Sequence, residues 1–198
     1  MAKLRIGVWW ASITWGAWDL EKWGRVARLR DYFDHTTPAF VYNLGVSGAN
    51  THDLLERFEI EAKARRPDII VFSIWVNDAH MYEGKSMTSL VEFQKNVRQL
   101  IILARQFTDT IVFMGISRVD ESRTMPWRPE EWKYYSNATA QEYSTVLKQI
   151  CRDEKLFFLD IFDTLDLQDL PDGIHPNAQW HEKIYQKVKL FLQENNLM

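Results

Sequence analysis

Apolar positions in this chain gather into short, near-continuous runs separated by stretches of helical spacing. Five runs rich in β-branched and aromatic residues, Leu4–Trp10, Ala39–Leu44, Ile69–Trp75, Thr110–Ile116 and Leu156–Ile161, are each bounded by polar or turn residues and predict strands. Helical patterning covers Leu20–Phe33, Thr51–Ala64, Met87–Phe107 and Glu130–Asp153, with a last helix from about Pro176 to Asn195. Alternating strands and helices call for parallel pairing, and parallel strands covered on both faces are uniformly apolar, as these are. The expected fold is α/β, a three-layer α/β/α sandwich around a five-stranded parallel sheet. No linker, repeat or low-complexity segment interrupts residues 1–198, which are expected to form one domain.

Composition narrows the function classes. With 198 residues, 46% of them hydrophobic and 14% aromatic, the chain can bury a core that needs no metal or disulfide staple. A net charge of −3 and basic runs no longer than Lys63-Ala64-Arg65-Arg66 argue against a nucleic-acid partner. Cys151 is the only cysteine, so no intramolecular disulfide or multi-cysteine motif can form; it is expected as a buried thiol in a reducing compartment. No apolar run approaches the roughly 20 residues of a membrane span, and Met1-Ala2-Lys3 leads into a strand rather than a signal peptide. The expectation is a cytoplasmic protein, secreted only if a signal peptide has been removed, with no membrane partner; a homo-oligomer is left open.

In parallel sheets ligands bind beyond the carboxyl ends of the strands, and four features fall there. Ser12 follows the first strand, within Ala11-Ser12-Ile13-Thr14-Trp15-Gly16. Leu44-Gly45-Val46-Ser47-Gly48-Ala49-Asn50 follows the second, with glycines that let backbone amides approach a ligand. Asn77 follows the third, where its side-chain amide could donate to a developing oxyanion. Pro171-Asp172-Gly173-Ile174-His175-Pro176-Asn177 follows the fifth, and the spacing of Asp172 and His175 lets the carboxylate reach Nδ1 on a short turn, leaving Nε2 for a serine proton. Each also has an ordinary reading: a turn serine, a tight glycine turn, a capping asparagine, and a helix start with His175 as cap and Pro176 as first residue. Their coincidence on one sheet edge favours a site.

At these residues the chain resembles the SGNH hydrolase superfamily, the GDSL-like lipases and esterases, over nearly its whole length. Ser12-Ile13-Thr14-Trp15-Gly16 is similar to the second half of the G-D-S-I-T-x-G block, Asn43–Gly48 to the glycine block, Asn77-Asp78 to G-x-N-D, and Asp172–Asn177 to D-x-x-H. The resemblance implies a flavodoxin-like fold with strand order 2-1-3-4-5. It implies that Ser12 is the nucleophile, His175 the general base and acid, and Asp172 the residue orienting His175. The oxyanion hole would comprise the Ser12 and Gly45 backbone amides and Asn77. Trp10 and Ala11 stand where the family has Gly-Asp, and Trp75 where it has the glycine of G-x-N-D. The bulk of Trp10 leads us to expect a displaced serine loop.

The expected chemistry is hydrolysis of a small-molecule ester, with an acyl or acylated-sugar substrate, through an acyl-enzyme and without metal or organic cofactor. His35, His52, His80 and His181 lack paired metal-ligand spacing and are expected in surface or packing roles. Substrate choice is expected in the long connection Ser122–Tyr135, with Trp9, Trp15, Trp18 and Trp75 as further candidate pocket walls. Two alternatives stay open: a non-catalytic acyl- or carbohydrate-binding protein disabled by Trp10 and Ala11, and a flavodoxin-like nucleotide binder. The second is weakened because no phosphate loop follows the first strand.

Overall fold

A computed structural model describes residues 3–36, 39–74, 76–164 and 166–198. Strands β1 (Leu4–Trp10), β2 (Ala39–Gly45) and β3 (Ile69–Ser73) form near their predicted positions; β1 and β3 bury side chains on both faces, whereas β2, at the sheet edge, alternates buried and exposed ones. Ahead of β2 stand α1 (Ser12–Trp15) and α2 (Gly24–His35), and α3 (Thr51–Arg65) links β2 to β3. Two-residue strands β4 (Met81–Tyr82) and β5 (Lys85–Ser86) precede α4 (Leu90–Ala104), β6 (Ile111–Met114), α5 (Glu121–Thr124) and β7 (Lys133–Tyr134). The chain then runs through α6 (Asn137–Asp153), β8 (Phe157–Leu159), two 3-10 turns (Phe162–Thr164 and Leu167–Asp169) and α7 (Ala178–Glu194).

The main sheet has the order β2-β1-β3-β6-β8 with every pair parallel, which is the expected 2-1-3-4-5 arrangement. Helices α2 and α7 pack together on one face and α3, α4 and α6 on the other. Trp9 shows how the core closes: its ring is fully buried against Phe58 and Phe72, and its indole N–H donates to Glu61 Oε2 at 2.9 Å. Trp9 is therefore a core residue and not a pocket wall. Cys151 is buried, as expected. Among the described residues no helix is long and apolar enough to cross a membrane.

Helix starts are set by side-chain caps, and this corrects several predicted boundaries. Asn50 caps α3, and Ser89 caps α4 in a reciprocal box with Glu92, so α4 begins at Leu90 rather than Met87. The predicted start of α6 at Glu130 fails because Lys133–Tyr134 pairs instead with β4, forming with β5 a small antiparallel sheet; Ser136 then caps the helix. Leu20–Trp23 lies in a turn, not in α2. Trp75 lies outside the described residues.

Candidate active site

The carboxyl ends of the central strands are in register, with Trp10 the Cα partner of both Gly45 and Ser73. Ser12, the Gly45 loop and the segment carrying Asn77 thus leave the sheet side by side. Trp10 adopts a φ of +145°, a value glycine takes freely and a bulky residue rarely does, at the position where the resemblance has glycine. Its ring is fully buried, and its carbonyl accepts from Val46 N at 2.8 Å and Arg57 Nη2 at 3.0 Å. Those bonds hold the strand end in place. The expected displacement of the serine loop does not occur: Ser12 Oγ lies 3.0 Å from His175 Nε2.

His175 and Asp172 share the loop between the second 3-10 turn and α7. Asn177, not His175, caps α7 by accepting from Trp180 N, so the helix starts at Ala178 and His175 stays outside it, turned toward Ser12. Asp172 Oδ2 lies 2.7 Å from His175 Nδ1, while Oδ1 accepts from His175 N at 2.7 Å and Ile174 N at 3.0 Å. Burial acts to raise the pKa of Asp172, but the His175 hydrogen bond and charge, with the two amides, outweigh it and hold the carboxyl below its ordinary value. An ionised Asp172 requires the proton on Nδ1, which leaves Nε2 as an acceptor facing the hydroxyl. Gly173 turns this loop at φ +91°; a Cβ there would stand 2.7 Å from Thr124 Cγ2.

The oxyanion candidates lie on the neighbouring loops. The Gly45 amide donates to Asn43 Oδ1 at 3.1 Å, and the Asn77 carboxamide donates one hydrogen to Ala49 O at 2.8 Å and keeps a second. Only glycine fits at 45, because a Cβ would meet Trp15 N at 2.2 Å. The Asp78 carboxylate ties the two loops together, accepting from Thr51 N at 3.1 Å and Thr51 Oγ1 at 2.6 Å. Burial pushes its pKa up to about 6, against the hydrogen bonds from Thr51.

A buried cation lies beneath Ser12 that sequence reasoning missed. Arg25, 3% exposed, donates to Ile13 O at 2.9 Å, Thr14 Oγ1 at 3.0 Å and Ser73 Oγ, joining the turn after Ser12 to the end of β3. Burial lowers its pKa to about 9, which leaves it charged at neutral pH. Its backbone amide donates to His181 Nδ1, whose ring in turn donates from Nε2 to Ala17 O. Burial, reinforced by Arg25, drives His181 to about 4, so it serves as a neutral bridge. A basic residue on an ordinary helical face gives no hint of this in the sequence. His80, also buried, donates from Nδ1 to Asn77 O at 2.8 Å and stacks on Tyr135, a packing role as expected.

Connection Ser122–Tyr135 does reach the site. Trp127 Nε1 donates to Asp172 O at 3.3 Å, Arg123 Nη1 donates to Pro171 O at 2.6 Å, and the Trp127 ring centroid lies 6.4 Å from that of His175. Trp18 also neighbours His175, its ring centroid 6.5 Å away with ring planes 28° apart. Trp15 and Trp18 are both exposed, whereas Trp9 is in the core.

The geometry agrees with what the chain is similar to. The model of the GDSL-like lipase/acylhydrolase family matches residues 11–183. An acetylxylan esterase of Geobacillus stearothermophilus is 26% identical over an alignment covering 78% of this chain and 71% of that protein. Among solved structures, a lipase/acylhydrolase from Enterococcus faecalis superposes with a TM-score of 0.78 at 19% identity, covering 97% of this chain and 96% of the other. Axe2, an acetylxylan esterase from G. stearothermophilus, gives 0.73 at 21% identity, covering 96% and 94%. At such identities the structural matches establish the fold.

Proposed function

Since the chain belongs to the GDSL-like lipase/acylhydrolase family, we propose that it is a serine esterase that removes small acyl groups from carbohydrate through an acyl-enzyme on Ser12. The observation that carries this reading is the unbroken relay from Ser12 Oγ to His175 Nε2, and from His175 Nδ1 to Asp172. Carbohydrate as the alcohol draws support from the likeness to an acetylxylan esterase. The intact relay beside Trp10 supports the catalytic reading over the non-catalytic binding protein.

In the proposed mechanism, His175 Nε2 takes the Ser12 proton as Oγ bonds to the ester carbonyl carbon. The carbonyl π pair moves onto oxygen, where the amides of Ser12 and Gly45 and the second N–H of Asn77 receive it. A charged oxygen is a stronger acceptor than the neutral carboxamide of Asn43, so it displaces Asn43 from the Gly45 amide. As the carbonyl re-forms, Nε2–H protonates the leaving alcohol. Water then attacks the acyl-Ser12 ester, giving its proton to Nε2, which returns it to Oγ as the carboxylic acid departs. Asp172 stays ionised throughout and steadies the imidazolium.

Hydrolysis of a p-nitrophenyl acyl series from acetate to octanoate by the parent and by Ser12→Ala tests the reading. Turnover that favours acetate and falls by about 10⁴-fold or more in the variant is expected. No turnover by the folded parent, or equal turnover by the variant, would overturn it.

A further inference from the structure

Microscopic direction in this site separates the two halves of the substrate. His175 Nε2 delivers its proton to the leaving alcohol, so the alcohol half must lie against the imidazole, while the acyl carbonyl points toward Gly45 and Asn77. The side chains that flank the imidazole therefore border the alcohol. Two tryptophans do: Trp127, fixed by its bond to Asp172 O, and Trp18, whose plane lies 28° from that of the ring.

Trp18 is an unusual place for an indole. It is 53% exposed and holds a φ of +64°, and its neighbour Trp23 is 70% exposed at φ +58°. Bulky residues in the left-handed region carry steric cost, and rings left half in water recover little of it by burial. The turn that imposes this conformation is firmly built. The Asp19 carboxylate, almost fully buried, accepts from Glu21 N and Lys22 N at 3.1 Å each and from Gly24 N at 2.8 Å, and pairs with Arg28. A rigid turn thus presents a half-exposed indole beside the reacting atoms.

We propose that Trp18 is a specificity-determining residue, a stacking platform for the sugar ring of the alcohol half, with Trp127 as a second wall beside His175. This rests on the esterase reading above and deepens it. A pyranose offers an apolar face of C–H bonds that packs on an indole, whereas its hydroxyls remain solvated at the open rim. Preorganisation by the Asp19 turn means that little conformational freedom is lost on binding.

The test compares the parent with Trp18→Gly, which suits the positive φ and removes the ring, and with Trp18→Phe, which restores a smaller ring. Each is assayed on mono-acetylated methyl xylopyranoside and on ethyl acetate, whose alcohol is too small to stack. The expected result is that the ratio of kcat/KM for the sugar ester over ethyl acetate falls about tenfold in Trp18→Gly, chiefly through KM, and recovers in large part in Trp18→Phe. A ratio unchanged in Trp18→Gly, or Phe no better than Gly, overturns the platform. Parent protein that cleaves ethyl acetate but not the sugar ester overturns it too, with the esterase chemistry intact; parent protein that cleaves neither ester sinks the proposed function as a whole.

Discussion

Replacing Asp78 by asparagine turns a buried titration into a measurable slope. Asp78 is fully buried between the Asn77 loop and the start of α3, and its folded pKa is raised from 3.8 to about 6, first by burial and only partly offset by Thr51. A carboxyl whose pKa is raised on folding binds its proton more tightly in the folded state. Its neutral form therefore favours folding fully below about pH 4, and that advantage is lost as the pH climbs through about 6. The difference between about 6 and 3.8, at about 1.4 kcal/mol for each pH unit, amounts to about 3 kcal/mol. The replacement amide has no proton to lose. The variant also strands one amide donor among groups that now donate to a carboxylate, a cost of about 1–3 kcal/mol that does not vary with pH. Urea unfolding of both proteins at a series of pH values between about 3 and 7.5 separates the two effects, because all other titrations cancel in the difference. Stability of Asp78→Asn relative to the parent is expected to rise by about 3 kcal/mol across that range. A difference that stays flat, or falls with pH, refutes the reasoning.

Two further perturbations address the site. Gly45→Ala places a Cβ 2.2 Å from Trp15 N and 2.8 Å from Thr14 C, so two backbones must part; we expect about 1–3 kcal/mol of lost stability by thermal or denaturant unfolding, and about 100-fold lower kcat on p-nitrophenyl acetate from the shifted amide. Full activity in that variant would remove Gly45 from the oxyanion hole. Asp172→Asn keeps the shape of the loop but no longer demands a proton on Nδ1, so kcat is expected to fall about 10³–10⁴-fold with KM little changed; a loss within about tenfold would show that Asp172 does not orient His175.

The sheet was legible because its strands are defined by composition alone: β1 has the predicted bounds, and β2 differs by one residue. The proximity of Ser12 to His175 was legible for a different reason. Parallel topology sends every strand end to one edge, so the motifs after strands one and five share it, and the long loop after β8 carries His175 back across two strands to Ser12. What could not be read were features decided by tertiary partners. Lys133 and Tyr134 carry helix-compatible neighbours, yet pair with Met81 and Tyr82, far back along the chain. Arg25 reads as an exposed helical residue, and only the depth of α2 beneath α1 makes it a buried donor to Ile13. Trp10 was expected to push Ser12 aside because bulk can be counted in a sequence, whereas the Arg57 and Val46 bonds that hold its carbonyl cannot.

The separation of 163 positions between Ser12 and His175 also orders events during synthesis. Strands β1, β2 and β3, which shape the loops around Ser12, can assemble as a unit while the segment bearing Asp172 and His175 has yet to be translated. Until that segment docks beside Ser12, the proposed mechanism gives the hydroxyl no base. On the proposed mechanism, a nascent chain acquires esterase activity only after Asp172 and His175 have been translated and have docked beside Ser12.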